Sequence, residues 1–206
     1  MRIGIDFDNT IVSYDALFYR VAREWDVVPP ETAVHKMAVR DYLRRAGRED
    51  RWTEMQGYVY GARMDEAEAY PGAINFLLWA RDAGHTVSIM SHKTRHPFIG
   101  PQYDLHAAAR QWIARHLVSD DTALVPKAHV FFELTKEGKL DRIGAFRCHA
   151  FIDDLPEILL ADRFPATAAR LLFDPEQQYL PAANDGLTVF RAWTEAAERL
   201  GMVTRN

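Results

Sequence analysis

Short apolar runs recur along the chain, and each of them ends in polar residues. The first run, residues 2–7 (RIGIDF), is rich in β-branched side chains and leads into a polar segment, which is typical of a buried strand followed by a loop. Four later runs have the same character: residues 86–90, 129–132, 149–152 and 170–173. The pattern predicts five core strands.

Segments with helical character lie between these strands. They cover residues 71–82, 103–116, 139–145, 156–162 and 192–200. Because strands that alternate with helices pair in parallel through right-handed crossovers, we expect an α/β fold, a three-layer Rossmann-like parallel sheet core.

The alternation is interrupted once, between residues 14 and 69, by three helical segments without a strand. These are residues 14–25, 31–46 and 49–68; Pro29 and Pro30 break the chain before the second, and Gly47 suits a helix end before the third. We therefore expect a core formed by residues 1–13 and 70–206, with residues 14–69 as a small inserted α-helical cap. Residues 181–186 (PAANDG) predict a surface loop.

Composition and the length of the apolar stretches limit the kinds of molecule that the chain is expected to bind. The formal net charge is -4, from 25 Lys+Arg and 29 Asp+Glu, which gives no overall positive field for a nucleic acid polymer. The apolar stretches are shorter than the roughly 20 residues of a membrane span, so we expect no membrane association. Cys148 is the one cysteine and no leader-like segment precedes the first strand, which favours a cytoplasmic protein. The oligomeric state is not predicted.

Polar side chains that follow the predicted strands are the candidates for chemistry, because ligands of open α/β sheets bind at the carboxyl ends of the strands. They are Asp6, Asp8 and Thr10 after the first strand, Ser91, His92 and Lys93 after the second, and Asp153 and Asp154 after the fourth. Several carboxylates around one point are costly without a cation. Magnesium binds few protein carboxylates and completes its shell with phosphate oxygens, which predicts a phosphate ester as substrate.

These motifs resemble those of the haloacid dehalogenase-like superfamily. The family's first motif, Asp-x-Asp-x-Thr/Val after the first strand, matches Asp6, Asp8 and Thr10. Its second motif, a Ser or Thr after an apolar strand, matches Ser91, and its acidic pair matches residues 153–154. The resemblance covers residues 1–10 and 70 to about 200, and the helical insert stands where the family has its first (C1) type of cap.

The family's third motif is a lysine near the start of the helix that precedes the acidic pair. Lys136 and Lys139 both suit it, whereas Lys127 is more distant. Lys139 is favoured because it directly precedes the apolar periodic segment LDRIGAF and stands 14 residues before Asp153.

The resemblance implies a magnesium-dependent phosphomonoesterase with an aspartyl-phosphate intermediate. In that scheme Asp6 is the nucleophile, and Asp8 donates and then accepts a proton. The implied magnesium ligands are Asp6, Asp8 through its carbonyl, Asp153 and Asp154, and the implied phosphoryl ligands are Ser91 and Lys139. Thr10, His92 and Lys93 are further candidates for substrate binding. Asp8 also separates the chain from dehalogenase-like members, which lack an acid at that position.

Alternative interpretations accompany several of these residues. Thr10, Ser91 and Asp154 could cap local structure, and His92 could simply be exposed. Lys93 with Arg95 could form a solvated turn. At the level of function, a signalling phosphoacceptor domain is disfavoured because its phosphoacceptor lies on a central strand halfway along a shorter domain. A phosphate-binding protein without turnover is the remaining alternative. The substrate class stays open between nucleotide 5′-monophosphates and sugar phosphates, with a slight preference for the former.

Overall fold

The computed structural model describes residues 1–180 and 185–203 and contains one large parallel sheet. The strands are β1 (Arg2–Ile5), β2 (Val12–Ser13), β3 (Glu68–Ala69), β4 (Thr86–His92), β5 (Val118–Ser119), β6 (Thr122–Ala123), β7 (Val130–Glu133), β8 (Ala150–Asp153), β9 (Ala169–Phe173) and β10 (Leu187–Phe190). Six of them form the sheet in the order β10-β9-β8-β1-β4-β7, all parallel. The predicted Rossmann-like α/β fold is confirmed.

Strand β1 occupies the interior of this sheet. Ile5 is in register with Ile89 of β4 on one side and with Ile152 of β8 on the other, and all three side chains are fully buried. Because strands covered on both faces need apolar side chains at every position, the continuous apolar runs of the sequence appear here.

Helices cover both faces of the sheet. The α-helices are α1 (Asp15–Glu24), α2 (Lys36–Arg45), α3 (Glu49–Tyr60), α4 (Ala73–Asp82), α5 (Leu105–His116), α6 (Lys136–Ala145), α7 (Pro156–Leu159) and α8 (Trp193–Val203), with 3₁₀ turns at Met64–Glu66 and Lys127–His129. Leu172 of β9 belongs to a core cluster with residues of α6 and α7. The next residue, Phe173, contacts Trp193 of α8 with ring centroids 5.6 Å apart. Since successive strand residues point to opposite faces, these contacts define three layers.

The chain forms two compact units, each built from more than one segment of the sequence. The first comprises Met1–Ile11, Ala69–His92 and Leu117–Asn206, and the second comprises Val12–Glu68 and Lys93–His116. The second unit thus groups α1, α2 and α3 with α5. No helix of the described residues combines the length and the apolar character that crossing a bilayer requires.

Several predicted element bounds were wrong. β1 ends at Ile5 rather than at residue 7, α2 starts at Lys36 rather than 31, and α6 starts at Lys136 rather than 139. The helix expected for residues 49–68 ends at Tyr60. A sixth core strand, β10, was not predicted. The surface loop predicted for residues 181–186 lies mostly outside the described residues.

Gly4 supports a close approach between β1 and the side chains that cover it. A Cβ atom at Gly4 would lie 2.4 Å from Cδ2 of Phe151 and 2.9 Å from Sγ of Cys148, both buried. We expect Gly4→Ala to lower the free energy of unfolding by about 1–3 kcal/mol, the usual cost of overpacking. Urea denaturation of the purified variant measures this loss.

Gly201→Ala is the matched control. A Cβ at Gly201, on α8, meets nothing within 4 Å, so alanine there should stabilise the helix by about 0.5–1 kcal/mol. Equal stability of the native protein and Gly4→Ala would contradict the close packing described for β1.

Candidate active site

Two neighbouring strands bring the acidic residues together at one edge of the sheet. Asp6 directly follows β1, and its backbone N–H still donates to the carbonyl of Ile152 on β8, at 2.9 Å. Asp153 is the last residue of β8, and Asp154 follows it. Because β1 and β8 are adjacent and parallel, their carboxyl ends place these side chains in one cluster.

Lys139 lies within this cluster. Its Nζ atom is 2.6 Å from Oδ1 of Asp6 and 2.7 Å from Oδ2 of Asp153, and the residue is 1% exposed. The local sequence accounts for this placement, since Thr135 caps α6 by accepting a hydrogen bond from the backbone N–H of Gly138 at 3.0 Å. Lys139 is therefore one turn inside the helix. Lys136, at the helix start, pairs instead with Glu157 at the surface, at 2.5 Å.

Burial dominates the electrostatics of the carboxyl groups. It raises the pKa of Asp6 to about 7, because the attraction of Lys139 offsets the desolvation only in part and Asp153 adds repulsion. Burial also raises the pKa of Asp154 well above its usual range, with further contributions from Asp153 and Asp6. For Lys139, burial lowers the pKa, but the negative charges of Asp153 and Asp6 outweigh it and hold the ammonium pKa above its ordinary value.

These residues fit a divalent metal ion. Asp6, Asp153 and Asp154 each offer one carboxylate oxygen, and these oxygens lie within 4.8 Å of one another. Burial raises the pKa values of Asp6 and Asp154 and Lys139 offsets this only in part, so a cation bound there would stabilise their charged forms. A donor set made of carboxylate oxygens alone suits a hard cation such as magnesium.

Hydrogen bonds fix the orientation of the acidic pair. The Thr10 hydroxyl donates to Oδ1 of Asp154 at 2.9 Å, and the backbone N–H of Leu155 donates to Oδ1 of Asp153 at 3.0 Å. The carbonyl of Thr10 in turn accepts from the indole N–H of Trp193 at 3.0 Å. Sequence reasoning missed this function of Trp193, since a tryptophan near a helix start carries no signal of a partner 183 residues away.

The other candidate residues are placed as follows. Asp8 is close enough to Asp6 for its charge to contribute to the raised Asp6 pKa. Ser91 is buried, 2% exposed, and His92 ends β4. The pKa of His92 is lowered by desolvation and then by the charge of Lys139.

Lys93 belongs to the second unit. There it is 5% exposed, with its Nζ atom 4.7 Å from the ring centroid of Tyr60 and its carbonyl 2.8 Å from Nε2 of His106. It does not form the exposed turn with Arg95 that was one interpretation of the sequence. A role for Lys93 in substrate binding stays a prediction.

No protein-family model and no curated protein matches the chain. Solved structures do match over nearly the whole length. A HAD family hydrolase from Deinococcus radiodurans R1, solved with bound phosphate and sodium, is 17% identical with a TM-score of 0.58, over 98% of this chain and 96% of that one.

Two further neighbours carry different activities in their names. The β-phosphoglucomutase of Pyrococcus sp. strain ST 04 is 16% identical with a TM-score of 0.55, over 100% of this chain and 99% of that one. The 2-haloacid dehalogenase of Pseudomonas syringae pv. tomato DC3000 is 12% identical with a TM-score of 0.53, over 98% of each chain. The fold that the resemblance implied is confirmed, and this chain has the fold of the haloacid dehalogenase-like hydrolases.

Proposed function

We propose that the chain is a magnesium-dependent phosphomonoesterase that uses Asp6 as its nucleophile. The observation that carries this proposal is the buried group in which Lys139 contacts both Asp6 and Asp153 at the carboxyl ends of β1 and β8. A carboxylate held by a lysine beside two further carboxylates suits attack on a dianionic phosphoryl group, provided that a cation balances the charge.

In the proposed first step, the Asp6 carboxylate attacks phosphorus, an Asp–O–P bond forms and the bond to the leaving oxygen breaks. Asp8 donates a proton to that oxygen. In the second step, water attacks the phosphoryl group of Asp6, Asp8 accepts the proton of the water, and inorganic phosphate leaves. Lys139 and Ser91 hold the phosphoryl oxygens, and Lys139 balances charge that develops on them.

Asp6, Asp153 and Asp154, together with the Asp8 carbonyl, would hold the magnesium ion. When bound, magnesium supplies positive charge that lets a phosphate ester approach a carboxylate nucleophile. The fit of the three carboxylates to one cation supports this assignment.

Phosphoryl transfer is favoured over dehalogenation because of Asp8. The structural neighbours include proteins of both kinds, so the fold does not choose between them. A second acid beside the nucleophile supplies the proton that an alkoxide leaving group needs, whereas a halide leaves without one. The phosphate bound in the Deinococcus neighbour is compatible with this choice.

The proposed substrate is a small phosphorylated metabolite, either a nucleotide 5′-monophosphate or a sugar phosphate. The proposal assigns residues 14–69 the role of a cap that selects among such substrates. Cys148 is a buried free thiol, in keeping with a reducing cytoplasm, where we place the enzyme.

Substitution of Asp6 and of Asp8 by asparagine tests the proposed phosphatase mechanism. We expect magnesium-dependent phosphate release from a panel of nucleotide and sugar monophosphates, with no measurable turnover for Asp6→Asn. Asp8→Asn should lower kcat by about 10²–10⁴-fold, the usual contribution of general acid-base catalysis.

Asp141→Asn is the control, because Asp141 undergoes the same chemical change in an exposed ion pair with Arg163; its turnover should equal the native value. Full activity in Asp6→Asn would exclude the proposed nucleophile, and no turnover of any ester by the native protein would favour a binding function.

Substitution of the two lysines of α6 should have very different effects on turnover and stability. Lys139→Met leaves Asp6 and Asp153 without their buried counter-charge, so we expect lost turnover and a destabilisation of about 3–5 kcal/mol. Lys136→Met removes an exposed pair and should change stability by no more than about 1 kcal/mol.

The variant Lys139→Arg distinguishes the effect of the positive charge from the effect of the shape of the ammonium group. It keeps the charge and should recover part of the stability but not the turnover, since the guanidinium does not fit the space of an ammonium. The assignment fails if Lys136→Met, and not Lys139→Met, abolishes phosphate release. Chemical denaturation and steady-state kinetics supply both readouts.

Magnesium binding provides a test that is independent of turnover. Thr10→Val removes the hydrogen bond to Asp154 while keeping the side-chain volume, and we expect about a tenfold weaker magnesium affinity by calorimetry, as for other partners of metal ligands. Thr86→Val, at the exposed start of β4, is the control and should bind magnesium like the native protein. Equal affinities of all three proteins would argue against Asp154 as a ligand.

A further inference from the structure

A second polar site lies in the first unit, at the amino end of β1 rather than at its carboxyl end. It is a cavity of about 360 Å³, lined by Arg2, Arg147, His149 and Thr167 together with Ile143, Gly144, Cys148 and Pro165. This volume lies within the roughly 300–1,000 Å³ of small-molecule pockets. None of the residues that line it is acidic.

The two arginines of this cavity lack carboxylate partners. Some arginines of this acidic chain form ion pairs, as Arg142 does with Glu133 at 2.7 Å and Arg163 with Asp141 at 2.6 Å, whereas Arg23 and Arg48 donate to backbone carbonyls. Within the described residues, Arg2 and Arg147 pair with no carboxylate. Their charges therefore add to a locally positive field.

Hydrogen bonds position the donors of the cavity. Nε of Arg2 donates to the carbonyl of Arg147 at 2.9 Å, which fixes the plane of the guanidinium. The backbone N–H of Arg2 donates to Nδ1 of His149 at 2.9 Å, so Nδ1 carries no proton. The neutral imidazole then has its N–H at Nε2, where it can donate to a ligand.

The backbone of Arg147 is also unusual. Its N–H donates to the carbonyl of Gly144 at 2.9 Å and the next N–H, of Cys148, donates to Ile143 at 3.3 Å, which is the Schellman pattern at the end of α6. The arginine has φ 54° at the position that glycine favours. Arg142 already places a cation in the last turn of the helix, so stabilisation of the helix end does not require Arg147.

We propose that this cavity binds a small dianion, either a phosphate monoester or a dicarboxylate. Two guanidinium groups offer paired N–H donors, the shape that phosphate and carboxylate oxygens match. The imidazole N–H and the Thr167 hydroxyl supply further donors. Ile143 and Pro165 offer an apolar wall for the rest of the ligand. Burial raises the pKa of Cys148 to about 12, so its thiol stays neutral and adds to this wall.

The position separates this site from the catalytic one. Arg2 begins β1, whereas Asp6 follows the last residue of the same strand. A ligand in the cavity therefore does not compete with the substrate for Asp6, and the proposal stands independently of the phosphatase assignment.

Site-resolved NMR on the full ¹⁵N-labelled chain tests the proposal. Inorganic phosphate and succinate are titrated separately, with sodium chloride at matched ionic strength as the control for screening. We expect saturable shifts of the amides of residues 147–149 with phosphate, succinate or both, and none with chloride. Shifts confined to residues 6–10 and 153–155 would instead report the catalytic site alone and overturn the proposal. Shifts at residues 147–149 that grow linearly without saturation would overturn it as well.

Arg147→Gly provides the decisive variant. Glycine suits the positive φ, so the fold should be at least as stable, while loss of one guanidinium should weaken binding about tenfold. Arg163→Gln loses one positive charge from an ion pair outside the cavity and should bind like the native protein. Unchanged affinity of Arg147→Gly, checked by thermal unfolding for its native fold, would contradict the assigned site.

Discussion

Lys139 brings one positive charge into a space that the carboxylates of Asp6 and Asp153 share, almost entirely shielded from water. Each of these charges alone would cost several kcal/mol to bury, and the contact between them makes the arrangement tolerable. The geometry of the first unit follows from this constraint. β1 and β8 must be neighbours, and α6 must approach them closely enough for an ammonium to contact both carboxylates.

Helix α6, which carries Lys139, is held in place by apolar packing. Leu140 and Ile143, which follow Lys139 on α6, are buried in the cluster formed with α7, β8 and β9. The lysine is therefore held by the core and by the Thr135 cap, and its flexible side chain has little freedom. A positively charged group that is fixed in advance of substrate binding is what electrostatic stabilisation of a transition state requires.

The sequence predicts the fold where local pattern and burial coincide. The runs that became β1, β4 and β8 are apolar because both of their faces are covered, and those of β7 and β9 are apolar because part of each strand is buried. β10 was missed although its residues, LTVF, are as apolar as the run that became β7, the other edge strand. Only Phe190 of β10 is buried, so burial of this strand gives no reason to expect a stronger run. The start of α6 was placed three residues late because Thr135 was not recognised as its cap, a contact that the apolar periodicity does not reveal.

Some residues of the candidate site could be identified from the sequence and others could not. Asp6, Asp153 and Asp154 were identifiable because each follows an apolar run, and the parallel sheet brings such positions together. The choice between Lys136 and Lys139 depended on which face of α6 meets the sheet, which sequence spacing alone left open. The link from Trp193 through Thr10 to Asp154 joins distant parts of the chain and has no local signature.

The position of β1 has a consequence for how the protein is made. Its neighbours in the sheet, β4 and β8, are synthesised about 80 and 150 residues later, so β1 must wait for both of its partners. Long-range pairing of this kind carries a loop-closure cost before it gains any contact, which slows folding. During that interval the apolar strand with Ile3 and Ile5 is unprotected, and exposed apolar segments of this kind favour aggregation until the partner strands arrive.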